Sequence, residues 1–162
     1  MSESHHEPES SSDGNVDAMI EAAIEDAESN APSSERRVSP RLSYAAIVVM
    51  VPLAPDGSQL SPIVVQALDV SVRGLRLDAG TRFEEGMTGA VQLLRPNGQL
   101  ALMGFVVRNY RPGDGGEHHI GIEFTALPDA MKKEDFIDEN GRLKVLHPAL
   151  LENHQAGDNA AA

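Results

Sequence analysis

Residues 90–110 read "AVQLLRPNGQLALMGFVVRNY", two apolar runs separated by Arg95-Pro96-Asn97-Gly98. Proline presets φ and an Asn-Gly pair accepts positive φ, so these residues fold the chain back and the two runs pair as an antiparallel hairpin. The same reading extends in both directions. Upstream lie "YAAIVVMV" (44–51) and "SPIVVQALDVS" (61–71), both β-branched, and then "GLRLDAG" (74–80), whose alternation turns Leu75 and Leu77 inward and Arg76 and Asp78 outward. Downstream, "RPGDGGE" (111–117) makes a second turn before "HHIGIEF" (118–124). Six short strands without an intervening helix predict an all-β fold, a six-stranded antiparallel β-barrel, because closure removes the sheet edges that such strands would otherwise expose.

The barrel is predicted over residues 35–127, and the composition differs on either side. Residues 1–34 hold nine acids, no Lys or Arg and no aromatic residue, the composition of a disordered acidic N-terminal tail. Within it, "VDAMIEAAIEDAES" sets Ile20, Ala23, Ile24 and Ala27 on one face with acids opposite, which allows a short helix over 17–29. A helix of that length is marginal alone, so it either docks on a partner surface or fluctuates. Residues 128–154 read as a C-terminal helical segment: "AMKKEDFIDEN" offers Met131, Phe136 and Ile137 for packing, stops near Gly141, and is followed by "LHPALLENH". Residues 155–162 read as a disordered end.

Several classes of protein are excluded or disfavoured. A length of 162 residues suits one domain with tails. With no cysteine there is no disulfide, thiolate nucleophile or Cys-ligated metal. The N-terminus lacks the basic and apolar regions of a secretory signal. The longest apolar stretch, residues 45–51, ends at Pro52 and falls far short of the ~20 residues a membrane span needs. A cytoplasmic protein without a membrane span is the expectation. No GxSxG, Walker or HExxH motif and no nucleophile-base pairing is present, so no enzyme is expected and no cofactor is implied. His118 and His119 are adjacent on a strand and point to opposite faces, and His5-His6 lies in the tail, so neither pair builds a metal site. "FIDENGRL" imitates the middle of a calcium loop but has Phe136 at the first ligand position and His147 at the last.

The net charge of −12 is unevenly placed. Residues 35–125 hold nine acids and nine bases, and every base is Arg. Planar, bidentate guanidinium groups suit phosphate and base-edge recognition; a compositional bias toward Arg is the alternative. A nucleic acid polymer is disfavoured as partner, since no basic stripe is interleaved with aromatic residues.

Three of those arginines stand in "ERRVSPRL" (35–42) as Arg36, Arg37 and Arg41. Pro40 disfavours helix at Ser39, so the segment is extended or irregular, with the Arg37 and Arg41 Cα atoms at most about 13 Å apart. That spacing suits a ligand with two anionic or base-edge features, such as a dinucleotide. Asp69 and Ser71 lie two apart at the end of an apolar strand, which puts both side chains on one face. Gly74 ends the following turn, where a missing Cβ permits positive φ or close approach by a ligand. A carboxylate accepts both N1–H and N2–H of guanine, and an Arg fork donates to O6 and N7. The competing readings pair Arg37 and Arg41 with surface acids such as Glu84 or Glu85, and make Asp69 a turn former.

Arg37-x-x-x-Arg41 ahead of the first strand, followed by Asp69-x-Ser71-x-x-Gly74 and the closing "GIEF" at 121–124, resembles the RxxxR and (D/N)xSxxG motifs and last strand of the PilZ domain family of bacterial cyclic di-GMP receptors. The resemblance covers residues 35–127. It implies a small barrel with a C-terminal helix that binds cyclic di-GMP without chemistry, in second-messenger control of motility or exopolysaccharide. It further implies that Arg37 and Arg41 wrap the ligand, that Asp69 and Ser71 hold a guanine from the barrel surface, and that Arg36 stacks on a base or supports a ligand dimer. The output expected is ordering of the N-terminal Arg segment, read by a protein partner. The alternative is an adaptor of the same fold that works through protein contacts and binds no nucleotide.

Overall fold

The computed structural model describes residues 8–29 and 40–151. It contains helix α1 (Pro8–Ser29) and strands β1 (Leu42–Pro52), β2 (Ile63–Val70), β3 (Gly74–Ala79), β4 (Thr88–Leu94), β5 (Leu100–Pro112) and β6 (His118–Thr125). All neighbours pair antiparallel in the order β1-β2-β3-β6-β5-β4, and β1 pairing with β4 closes the barrel. The β4–β5 hairpin turns where its sequence dictates: Gly98 has φ +90° and its N–H donates to the Arg95 carbonyl at 2.8 Å. At the β5–β6 turn Gly116 takes φ +91° and the Gly113 N–H donates to Glu117 at 2.8 Å.

Alternation fills the barrel. Val48 and Met50 of β1, Leu75 and Leu77 of β3, Val91 and Leu93 of β4, and Phe105 and Val107 of β5 all point inward and are buried. Arg76 between the two leucines is exposed, as the period of two requires. Burial of this apolar surface stabilises the fold by roughly 25 cal/mol per Å².

Residues 8–29 of the acidic tail, expected to be disordered apart from a short helix over 17–29, form one longer helix. The reason is tertiary. Val16, Ile20, Ala23 and Ala27 follow one another at helical spacing and are buried in the same core as the barrel interior, with Met19 and Ile24 packed beside them. The helix crosses one mouth of the barrel. Midway along it Arg95 of the β4–β5 turn donates to Glu21 at 3.0 Å, and near its C-terminal end Arg73 of the β2–β3 turn donates to Asp26 at 2.8 Å. The rest of the predicted tail lies outside the described residues, as do residues 152–162.

The segment after β6 differs from the expected helix. Among the described residues it contains a single 3-10 turn, Lys133–Phe136, then a bridge between Ile137 and Leu143, and helix again from 149 to 151. Asp138 diverts the chain: its Oδ1 accepts the N–H groups of Asn140 and Arg142 at 2.8 and 3.0 Å, and Gly141 takes φ +80°. The same bonds occupy the carboxylate that imitates a calcium ligand. Met131 and Phe136 still pack, against Val51 and Ala90 on the outer face of the barrel. Gln92, fully buried, clamps the segment by donating to the Lys144 carbonyl at 2.6 Å and accepting from the Leu146 N–H at 2.9 Å.

Candidate functional site: an arginine-lined cleft

Asp69 reaches the surface through a shift in register. Val65 and Ala67 of β2 point inward, so strict alternation would send Asp69 inward too. Pairing with β3 runs Ala67↔Leu77 and then Asp69↔Arg76, which leaves Leu68 as an extra residue and reverses the phase. Asp69 therefore faces out and Val70 in.

Both Asp69 oxygens are engaged. Arg41, one residue before β1, donates from Nη1 to Oδ1 at 2.9 Å, and Arg76 Nε lies 3.6 Å from Oδ2. Arg41 thus pairs with the other motif and not with Glu84 or Glu85, which unites one arginine of the leader with the acid of the turn. Its side chain remains 48% exposed, so this pair contributes only about 0.2–1 kcal/mol. Arg36 and Arg37 lie outside the described residues.

Ser71 stands past the end of β2, where the strand period no longer applies. It is buried, and its Oγ accepts the Arg73 and Gly74 N–H groups at 3.1 and 3.2 Å while its own N–H donates to the Gly74 carbonyl at 2.9 Å. The hydroxyl fixes the turn, and the shared outward face expected for Asp69 and Ser71 does not form. Gly74 does not take the positive φ that was one expectation for it, and a Cβ there would lie 1.8 Å from the Ile122 carbonyl oxygen on β6. Glycine lets β3 and β6 close beside the motif.

These elements border a cleft of about 980 Å³ over the β2–β3 turn and the outer faces of β3, β6 and β5. Five arginines line it, Arg41, Arg73, Arg76, Arg108 and Arg111, against one carboxylate, Glu123. Glu123 accepts from Arg108 Nε at 2.7 Å. Beside them Tyr110 donates to or accepts from His118 Nδ1 at 2.6 Å, while His119 Nδ1 meets Asp78 at 2.6 Å, so the two histidines have separate partners. Among the described residues no group of three or more His, Cys, Asp or Glu could hold a metal ion. Nor is any helix long and apolar enough to cross a membrane.

Arg73, Arg76, Arg108 and Arg111 were not singled out by spacing. The signal for them was present in the Arg-only charge of the middle of the chain and in the outward position of Arg76. What spacing could not show is that β6 lies between β3 and β5, which brings residues more than thirty positions apart into one cleft.

The PilZ domain family model matches residues 35–138. No curated protein matches the chain. Among solved structures, the chain is similar to the PilZ domain of YcgR from Escherichia coli, determined with c-di-GMP, at 13% identity over 78% of this chain and 98% of that one, with a TM-score of 0.45. It is also similar to a pathogenic protein from Xanthomonas campestris, described as a tetrameric PilZ domain self-assembled through a helical bundle, at 27% identity over 45% of this chain and 39% of that one, with a TM-score of 0.31. The family model spans more than half of the sequence and takes in both motifs, and the closed barrel carries the second of them on its β2–β3 turn: the chain belongs to the PilZ domain family.

Proposed function

We propose that the protein is a cytoplasmic cyclic di-GMP receptor, that the arginine-lined cleft is its binding site, and that it passes nucleotide occupancy to a protein partner. The observation that carries this reading is the convergence of five arginines on one cleft, with Arg41 of the first motif reaching Asp69 of the second at 2.9 Å. A cyclic dinucleotide brings two phosphodiester anions and two guanine edges, which guanidinium forks satisfy bidentately.

Binding replaces one set of contacts with another. For a guanine to place N1–H and N2–H on Asp69, Arg41 must leave that carboxylate and turn to the ligand. An exposed pair worth about 0.2–1 kcal/mol is a small barrier against the ~8 kcal/mol of a micromolar complex. Arg37, four residues earlier in the motif, supplies the second fork, and Arg36 adds a stacking plane or a contact to a second ligand. Ordering of this leader on the ligand is the output delivered to the partner.

An adaptor that binds no nucleotide is favoured by one observation, the engagement of both Asp69 oxygens by Arg41 and Arg76. Titration calorimetry separates the two readings. Cyclic di-GMP is expected to bind at about micromolar strength. Arg37→Ala, Arg41→Ala and Asp69→Ala each remove a charge-assisted contact of roughly 1.5–3 kcal/mol, a loss of about tenfold to more than a hundredfold. Unchanged affinity in all three folded variants would refute the site.

A further inference from the structure

Arg73 belongs to two sites at once. It lines the cleft, and its Nη1 donates to Asp26 Oδ2 of α1 at 2.8 Å, with the two side chains 17% and 28% exposed. Its backbone is fixed on both sides: Ser71 Oγ accepts its N–H at 3.1 Å and its carbonyl accepts the Phe124 N–H at 2.7 Å. Only the side chain is free to turn between helix and cleft.

That guanidinium meets the helix where its dipole favours a cation. Asp26 lies near the C-terminal end of α1, the negative end of its dipole, and the last turn contains no basic residue. Arg73 brings a positive charge from the barrel to that end of the helix. An anionic ligand in the cleft offers the same guanidinium a competing partner of like charge and geometry.

We propose that Arg73 is a further phosphate-binding residue of the cleft, and that its capture by the nucleotide weakens the hold of the barrel on α1. The inference rests on the receptor reading and adds an element to it: the helix over the barrel mouth responds to occupancy. Linkage requires the converse, so the Asp26 carboxylate opposes ligand binding.

The test combines calorimetry with amide hydrogen exchange on the full chain, followed in peptides covering residues 16–27 and, for comparison, β4. In the wild-type protein, saturating cyclic di-GMP is expected to raise exchange in α1 by about tenfold and to leave β4 protected. Asp26→Asn should exchange faster in α1 without ligand and bind cyclic di-GMP about three- to tenfold more tightly. In Arg73→Ala the α1 amides should exchange fast and no longer respond to the ligand. If the wild-type protein binds while α1 protection is unchanged or increased, the coupling is refuted and the receptor reading survives. Unchanged affinity in folded Asp26→Asn refutes it equally, and absence of calorimetric binding to the wild-type protein overturns both readings.

Discussion

Asp69 and Gly74 do their work through backbone geometry that residue type alone only partly reveals. Both stood out in the sequence, because an acid, a hydroxyl and a glycine at fixed spacing formed a recognisable unit. Their roles were legible less well. A bulge at Leu68 leaves no compositional mark, yet it decides that Asp69 faces outward, and the end of β2 at Val70 decides that Ser71 serves the turn. Gly74 was read as a residue of positive φ or of close ligand approach; its φ is not positive, and its missing Cβ admits the backbone of β6. Gly74→Ala forces β3 from β6, since the new Cβ would lie 1.8 Å from the Ile122 carbonyl oxygen, and is expected to destabilise by about 2–3 kcal/mol or more in urea unfolding. Gly80→Ala, with nothing within 4 Å of its Cβ, should stay within about 0.5 kcal/mol of the parent. Equal stability of the two variants would contradict the close-approach account.

Helix α1 and the C-terminal segment illustrate the limits of reading elements one at a time. The apolar stripe of α1 was visible as Ile20, Ala23, Ile24 and Ala27, but an acidic, serine-rich context argued for disorder, and only the barrel mouth supplies the surface that stabilises it. In the C-terminal segment the packing residues Met131 and Phe136 were identified, while the Asp138 turn that interrupts the helix competed with a helical texture and prevailed. Docking of α1 has a titratable reporter. Tyr44 is buried, donates to the Leu94 carbonyl at 2.9 Å, and has its phenol pushed well above the ordinary value, first by burial and then by Asp17 on α1. Because the folded pKa is the higher one, the contribution is complete below the unfolded value of 10.0 and declines as pH rises above it. Thermal unfolding from pH 8 to 11 should therefore show a steeper loss of stability in the parent than in Tyr44→Phe, with identical slopes counting against burial of this phenol beneath α1.

At the scale of the whole molecule, opposite charges are segregated onto different elements and then brought together. The acids of α1 meet Arg73 and Arg95 across the barrel mouth, and the arginines of β3 and β5 converge with Arg41 on one cleft. Barrel class and turn positions were readable from strand periodicity, whereas the cleft was not, because it depends on which strands become neighbours. The central claim is that the ligand takes Asp69 from Arg41, and a structure of the complex with cyclic di-GMP tests it most directly. The expected result is a guanine Watson–Crick edge on Asp69 at about 2.7–3.0 Å, with Arg41 and Arg37 turned onto the nucleotide. Ligand density away from this cleft, with Arg41 still paired to Asp69, would contradict the account.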